Sequence, residues 1–178
     1  MHNRVGIYPG TFNPMHIGHV SFALEALSVC NLDKIILLPE KYPRGKKQVA
    51  DFDTRVHYIE QLITGYPQLE IVVLHTMPIT VHSEKKELSK VLSTNDAVLL
   101  LGSDTLPNLR QWHDIELLLQ DHELCIGIRG ADTQEYVAEY VSHLEKVLGM
   151  KITYQSVETS HKYISSTQIR SQKNYVPL

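Results

Sequence analysis

The sequence predicts an α/β fold with a doubly wound, mostly parallel sheet. Short continuous apolar runs recur along the chain, and the two clearest cover residues 35–38 and 97–101. Runs of this kind are typical of parallel strands that are covered on both faces. Segments with apolar residues at helical spacing separate the runs, which is the pattern of repeated βαβ units. The chain of 178 residues has no repeat and no linker, so we expect one domain over residues 1–178.

The first half of the chain predicts three strands and three helices. The strands cover residues 5–7, 32–38 and 69–74. The first helix begins at or near His16, because apolar residues then recur on one helical stripe. Asp53 is the predicted N-cap of the second helix, and Gly65 is its predicted C′ residue. Ser83 is the predicted start of a short third helix.

The second half continues the alternation. The strands cover residues 97–101, 124–128 and 151–155. A helix follows Asp104, with Leu106, Leu109 and Trp112 at helical spacing and further apolar residues up to position 119. Asp132 or Thr133 starts a long helix that Gly149 closes.

Residues 8–19 connect the first strand to the first helix and read Tyr-Pro-Gly-Thr-Phe-Asn-Pro-Met-His-Ile-Gly-His. A helix start presents unpaired backbone N–H groups and the positive end of the dipole, which together favour phosphate. Gly10 allows a ligand to approach the backbone closely. His16 and His19 share a helix face. Two imidazoles there are suited to stabilising charge during phosphoryl or nucleotidyl transfer, although they also fit a plain turn with two solvated histidines.

Other candidate residues follow strands or begin helices, and each has a plainer alternative. Asp104 is placed to bind ribose hydroxyls or to cap a helix. Trp112, the only tryptophan, suits stacking on a pyridine ring or partial burial in the core. Arg129 follows a strand, at the edge of the sheet where ligands bind. Lys46 belongs to a basic loop, residues 40–47, that is either a phosphate-binding loop or a solvated connector. We expect Arg55 to be a solvated arginine.

A second cluster of anion-binding groups stands near the end of the chain, at residues 164–170. Ser165, Ser166 and Thr167 place three hydroxyls at a predicted helix start, and Arg170 follows one turn later. These groups could hold one anion together, with a bidentate contact from the arginine. Taken alone, the segment also fits a helix cap followed by a solvated arginine.

Three segments carry a family resemblance. Residues 8–19 resemble the GxFxPxHxGH signature of the nucleotidyltransferase superfamily that includes the nicotinate and nicotinamide mononucleotide adenylyltransferases. Residues 101–112 are similar to the GxDxLxxLxxW block of those adenylyltransferases, and residues 164–170 resemble the ISSTxxR signature of the superfamily. The resemblance extends from Ile7 to Arg170 and implies a Rossmann-like nucleotidyltransferase fold. Two separated signatures in the expected order are far more specific than either one alone.

The resemblance implies transfer of AMP from ATP to the phosphate of a pyridine mononucleotide, in NAD biosynthesis. His16, His19 and Arg170 would be catalytic, and Mg²⁺ would bridge phosphate oxygens with few protein ligands. The implied ATP-binding residues are Gly10, Thr11, Phe12, His16, His19, Gly102, Asp104, Arg129, Ser165, Ser166, Thr167 and Arg170. The implied acceptor-binding residues are Asn13, Lys46 and Trp112.

The acceptor stays open, because residues 76–82 lack the Ser-Tyr-Thr block of bacterial nicotinate mononucleotide enzymes and the basic loop lacks their Pro-Pro-His-Lys pattern. One alternative is another phosphorylated acceptor such as phosphopantetheine, although adenylyltransferases for that acceptor usually have Thr where His16 stands. Another alternative is a nucleotide-binding sensor without turnover, against which both histidines and Arg170 argue.

Composition and charge limit the classes of binding partner that we expect for this protein. The net charge of −3 gives no reason to expect nucleic-acid or membrane binding. No apolar run has the length of a bilayer span, and the N-terminus does not resemble a signal sequence. Cys30 and Cys125 lie in apolar surroundings, which indicates buried thiols in a reducing cytoplasm. We therefore expect a cytoplasmic protein with small-molecule substrates, and the sequence leaves a homo-oligomer open.

Overall fold

A single parallel sheet organises the protein. The structure is a computed structural model that describes residues 4–43, 48–74, 96–112 and 114–172. The strands of the described residues are β1 (Val5–Gly10), β2 (Lys34–Pro39), β3 (Leu69–Ile71), β4 (Ala97–Gly102), β5 (Glu123–Ile128) and β6 (Tyr154–Glu158). Every neighbouring pair of these strands is parallel, and their order is β3-β2-β1-β4-β5-β6. The predicted doubly wound α/β fold is confirmed.

Helices follow the strands along the chain. The α-helices of the described residues are α1 (Ile17–Val29), α2 (Phe52–Ile63), α3 (Leu106–Leu109), α4 (Ile115–Asp121), α5 (Gln134–Leu148) and α6 (Ser166–Arg170), and a 3-10 helix covers Ser103–Thr105. Thr133 caps α5 through its side chain, and Gly149 ends that helix in the left-handed conformation with a φ of 67°. Both of these helix boundaries agree with the prediction from the sequence.

Several boundaries differ from the prediction. Asp51, rather than Asp53, caps α2, and its Oδ1 accepts from the Thr54 N–H at 2.9 Å. The helix predicted beyond Asp104 is interrupted, because Asp114 adopts a left-handed conformation with a φ of 56°. β3 ends at Ile71, and β6 begins at Tyr154. The short helix predicted after Ser83 lies outside the described residues.

The core consists of two clusters on opposite faces of the sheet, and β2 shows why its apolar run is continuous. Ile36 and Leu38 belong to one cluster, and Ile35 and Leu37 belong to the other. Because successive strand residues point to opposite faces, a sheet that is covered on both faces requires apolar residues at every position. Phe22 of α1 belongs to the second cluster, so α1 packs against the sheet.

Two further expectations concern the thiols and the membrane. Cys30 and Cys125 are buried free cysteines, as predicted. Within the described ranges, none of the helices combines the length and the apolar character that crossing a bilayer would require.

Candidate active site

The strand order identifies one edge of the sheet as the place for a ligand. From the middle of the sheet, successive strands are added towards one edge from β1 to β3 and towards the other edge from β4 to β6. The strand order therefore reverses between β1 and β4. In open α/β sheets, ligands bind in the crevice at the carboxyl ends of the two strands that flank such a reversal. β1 ends at Gly10 and β4 ends at Gly102. Two of the three predicted motifs therefore begin at this crevice.

The start of α1 is built by the two predicted histidines. His16 is the N-cap, and its Nδ1 accepts a hydrogen bond from the Gly18 N–H at 3.1 Å. The His19 Nδ1 accepts from the His16 N–H at 3.2 Å, which completes a reciprocal capping box made of imidazoles. Because a backbone N–H can only donate, both Nδ1 atoms act as acceptors, and each neutral ring carries its proton on Nε2.

His16 is held as a neutral imidazole. Its residue is only 5% exposed, and its Nε2 is buried without a hydrogen-bond partner among the described residues. Burial, and to a smaller extent the positive charge of Arg129, lowers the pKa of His16 from 6.5 to about 4. A buried donor without an acceptor is costly and uncommon in native proteins. A ligand oxygen is the kind of group that would satisfy it.

Gly18 leaves room for the His16 ring. A Cβ at position 18 would lie 3.0 Å from two ring atoms of His16 and 3.1 Å from the carbonyl oxygen of His161. A side chain there would therefore press on the imidazole that caps the helix. This contact explains the glycine between the two histidines by packing rather than by backbone conformation.

We expect the His16 ring to stay neutral, with its proton on Nε2, from about pH 8 down to about pH 5, because burial lowers its pKa to about 4. Long-range proton–nitrogen NMR correlations measure both the tautomer and the titration, and a His16→Asn variant assigns the signals. A midpoint near 6.5, or a proton on Nδ1, would contradict this prediction. The unfolded chain binds a proton at this residue before the folded chain does, so His16 lowers stability progressively as the pH falls from 6.5 towards 4.

Thr11 and Phe12, two of the predicted ATP-binding residues, make contacts within the protein. The Thr11 Oγ1 donates to the Glu40 Oε2 at 3.0 Å. Phe12 is buried at a left-handed φ of 46°, and its ring packs edge-on against Tyr8 and His19, with centroid distances of 5.4 and 5.3 Å. A Cβ at Gly10 would lie 2.9 Å from the Phe12 ring. Gly10 thus leaves room for the Phe12 ring, and Phe12 packs against the His19 ring.

The segment that resembles the second signature lies against the first. Ser165 caps α6 by accepting from the Gln168 N–H at 3.2 Å. The Ser166 Oγ donates to the Pro14 carbonyl at 2.9 Å, across 152 positions of the sequence. Arg170 donates to the Asn13 carbonyl and, at 3.2 Å, to the Thr167 Oγ1. The structure thus brings the two signatures together. The Ser166 hydroxyl and the Arg170 guanidinium bond to the first segment, whereas the Ser165 and Thr167 hydroxyls bond within the second.

The carboxyl ends of β4 and β5 contribute a third part of the site. Asp104 is exposed, and its Oδ1 lies so close to Gly102 that a Cβ there would be 2.3 Å from it. The Arg129 Nη2 donates to the Ile164 carbonyl at 3.2 Å, directly before the second signature. Since the charge of Arg129 lowers the pKa of His16, its guanidinium also acts at the start of α1. Gly102, Asp104 and Arg129 therefore lie at the carboxyl ends of β4 and β5, and their role in ligand binding stays a prediction.

Ser103 is a site residue that sequence reasoning missed. Its fully buried Oγ donates to the Asp132 Oδ2 at 2.7 Å and accepts from the Arg129 N–H at 3.0 Å. The hydroxyl thereby fixes the turn that carries Arg129. Its position directly after the clearest strand of the chain was the available signal.

The structure describes two of the three predicted acceptor-binding residues, Asn13 and Trp112. The Asn13 side chain accepts from the Ala50 N–H at 3.2 Å and donates to the Gln48 carbonyl at 3.4 Å, so it holds the chain before α2. Trp112 is half-buried and packs against a core cluster, which favours the plainer of its two interpretations. Residues 44–47 of the basic loop, Lys46 among them, lie outside the described residues, as do residues 76–82.

The expectation for Arg55 was wrong. Its side chain is buried at 3% exposure, and it donates to backbone carbonyls of the loops that follow β1 and β2. An arginine in the first turn of a helix gains nothing from the dipole, and solvation is its usual state. Only the arrangement of the two loops supplies the acceptors that make burial possible.

Comparison with known proteins gives a family and named relatives for this chain. Residues 7–172 match the family model described as cytidylyltransferase-like. A protein of Flavobacterium psychrophilum named "Probable nicotinate-nucleotide adenylyltransferase" is 27% identical, over 98% of this chain and 91% of its own length. A protein of the same name from Campylobacter jejuni is 32% identical over 71% of this chain and 72% of its own.

Solved structures share the fold. The nicotinic acid mononucleotide adenylyltransferase of Plasmodium falciparum, in a complex with NaAD, aligns with a TM-score of 0.72 and 18% identity. The alignment covers 95% of this chain and 83% of that one. The same enzyme complexed with APC aligns with a TM-score of 0.71.

Proposed function

The chain belongs to the cytidylyltransferase-like family, and from this premise we propose that it transfers AMP from ATP to the phosphate of a pyridine mononucleotide, with nicotinate mononucleotide preferred. The products are a dinucleotide and pyrophosphate, and the reaction is a step of NAD biosynthesis. The observation that carries the proposal is the junction of the two signatures at the sheet reversal, where Ser166 and Arg170 bond to the loop before His16. The names of the relatives support both the adenylyl group and the nicotinate acceptor.

The chemistry needs no side-chain nucleophile. An oxygen of the acceptor phosphate attacks the α-phosphorus of ATP, a new P–O bond forms, and the bond from the α-phosphorus to the bridging oxygen of pyrophosphate breaks. Catalysis is then mainly positioning and charge stabilisation. The Nε2–H groups of His16 and His19 donate to oxygens around the α-phosphorus, and Arg129 and Arg170 add positive charge. Asp104 binds the ribose hydroxyls.

Magnesium enters the proposal as part of the substrate MgATP. Among the residues that the structure describes, no group of three or more His, Cys, Asp or Glu side chains could hold a metal ion. Mg²⁺ in nucleotide sites is commonly held by substrate phosphates together with one or two carboxylates. We therefore propose that the ion arrives with the nucleotide and neutralises its phosphates. We place the reaction in the cytoplasm, because ATP and mononucleotides are found there.

A pyrophosphate-release screen tests the proposal. We expect turnover with ATP and nicotinate mononucleotide, less with nicotinamide mononucleotide, and background rates with CTP or with no acceptor. The measurement is pyrophosphate production by a coupled assay, with the dinucleotide product identified by mass spectrometry. Turnover of ATP with phosphopantetheine and with neither pyridine mononucleotide would contradict the proposed acceptor. No turnover with any acceptor, in a folded protein that binds ATP, would favour the sensor alternative.

A further inference from the structure

The buried guanidinium of Arg55 connects two loops at the ligand edge of the sheet. From the first turn of α2, the Nη1 donates to the Thr11 carbonyl at 2.6 Å. The Nη2 donates to the Glu40 carbonyl at 2.9 Å, and the Nε donates to the Ala50 carbonyl at 3.1 Å. Thr11 belongs to the loop between β1 and α1, whereas Glu40 and Ala50 belong to the connection between β2 and α2. One side chain thus bonds to both loops, which the Glu40 N–H also joins by donating to the Gly10 carbonyl at 2.9 Å.

These bonds continue into the residues that surround the histidines. Ala50, whose carbonyl accepts from Arg55, donates its own N–H to the Asn13 Oδ1 at 3.2 Å. The carbonyl of Asn13 in turn accepts from Arg170. Arg55, Asn13 and Arg170 therefore form a continuous set of hydrogen bonds from α2, through the loop before His16, to α6.

The energetics favour a geometric role for this cation. Burial lowers the pKa of Arg55, while the negative charges of Glu40 and Asp51 oppose that shift. The hydrogen bonds of the guanidinium go to neutral carbonyls of separate segments, which only a planar fork with several donors can reach together. A lysine carries the same charge but presents its donors from a single point.

We propose that Arg55 is a positioning residue for adenylyl transfer: it sets the phosphate-binding loop between β1 and α1 against the connection between β2 and α2, the segment of the chain that contains Lys46, which the resemblance implies to bind the acceptor. The inference rests on the proposed function and adds a residue outside the three resembled segments. Arg55 need not touch a substrate for this role. Its loss moves the two loops relative to each other, and a misplacement of about 1 Å can cost about 10²-fold in rate.

Arg4 offers a matched control at the opposite edge of the sheet. Its Nη1 donates to the Cys30 carbonyl at 2.6 Å, its Nε lies 3.3 Å from the Asp96 Oδ1, and it also pairs with Glu123. Like Arg55, it joins separate segments through a guanidinium, but it does so at the amino ends of the strands. A purely structural arginine should resemble Arg4 in its effect.

The experiment compares Arg55→Lys, Arg55→Met and Arg4→Met at a temperature where thermal denaturation shows each to be folded. We expect kcat to fall by about 10²-fold in both Arg55 variants, with a rise in KM for the acceptor and little change in KM for ATP. Lysine should not restore kcat, because it keeps the positive charge but lacks the planar set of donors of the guanidinium. Arg4→Met should lower the melting temperature without changing kcat.

Two results would overturn the inference. One is near-normal kcat in folded Arg55→Lys, the variant that best preserves the side-chain stem. The other is an equal fall of kcat in Arg4→Met, which would make the effect one of general stability.

A measurement without substrate separates this inference from the proposed function. Hydrogen exchange of the unliganded protein should be faster at residues 10–13 and 48–51 in Arg55→Lys than in the wild type, and unchanged there in Arg4→Met. Unchanged exchange in Arg55→Lys would overturn the loop linkage even if adenylyl transfer proceeds. Faster exchange in a protein that lacks adenylyl transfer would support the linkage and refute only the proposed reaction.

Discussion

Replacing His16 with asparagine should lower kcat by about 10²–10³-fold, the effect typical of losing one donor aimed at transition-state charge. The Nδ1 of His16 caps α1, whereas its buried Nε2–H has no partner among the described residues. Asparagine is a preferred N-cap residue, so its Oδ1 can accept from the Gly18 N–H in place of Nδ1. Its amide nitrogen ends well short of the Nε2 position. The substitution therefore removes the donor and keeps the helix start.

The matched comparison for this prediction is His16→Ala, which removes both the cap and the donor. We expect both variants to lose turnover to a similar extent, but only alanine to lose about 1 kcal/mol of unfolding free energy through the missing cap. Steady-state kinetics and urea denaturation measure the two effects separately. If His16→Asn keeps a near-normal kcat, the capping bond is the function of the residue and the donor is not needed.

His19→Ala should also lower kcat by about 10²–10³-fold, while the Kd for ATP changes much less. Ground-state ATP already carries its charge, and under the proposed function many groups would share its binding: the backbone at the start of α1, the hydroxyls at the start of α6, the arginines and magnesium. The charge that develops around the α-phosphorus exists only in the transition state. A donor aimed there acts most strongly at that moment, so its loss appears in kcat.

The control for His19 follows from its place in the capping box. Its Nδ1 accepts from the His16 N–H, a bond that glutamine at the same position can also accept. His19→Gln should therefore keep the fold of the helix start, which circular dichroism and denaturation would report, and still turn over slowly. Full activity in folded His19→Ala would assign the residue a structural role and weaken the catalytic assignment of the whole opening loop.

Much of the site was readable from sequence because its essential contacts are local. His16 and His19 bond to backbone groups two and three residues away, so their spacing alone specifies the start of α1. Ser165 and Gln168 form a second capping box within one turn. Asp104 and Arg129 were predicted because they follow buried strands, and parallel strands deliver their carboxyl ends to one edge.

The roles of Asn13, Trp112 and Arg55 were less readable, since each depends on atoms distant in sequence. The acceptors of Arg55 lie up to 44 positions away, and sequence alone favours a solvated arginine. The burial of Ser103 beneath Asp132 and Arg129 likewise required β4 and β5 to pair. The acceptor-binding role of Asn13 and Trp112 stays a prediction.

By itself, the sequence determined the fold class, the start of α1 with its two histidines, and the order of the two signatures, because helix caps and continuous apolar strands are specified by neighbouring residues. Only the tertiary structure decided that Ser166 and Arg170 bond to the loop before His16, across more than 150 positions. It also decided the protonation state of His16. Burial and a nearby cation are properties of packed surroundings, and spacing along the chain does not encode them.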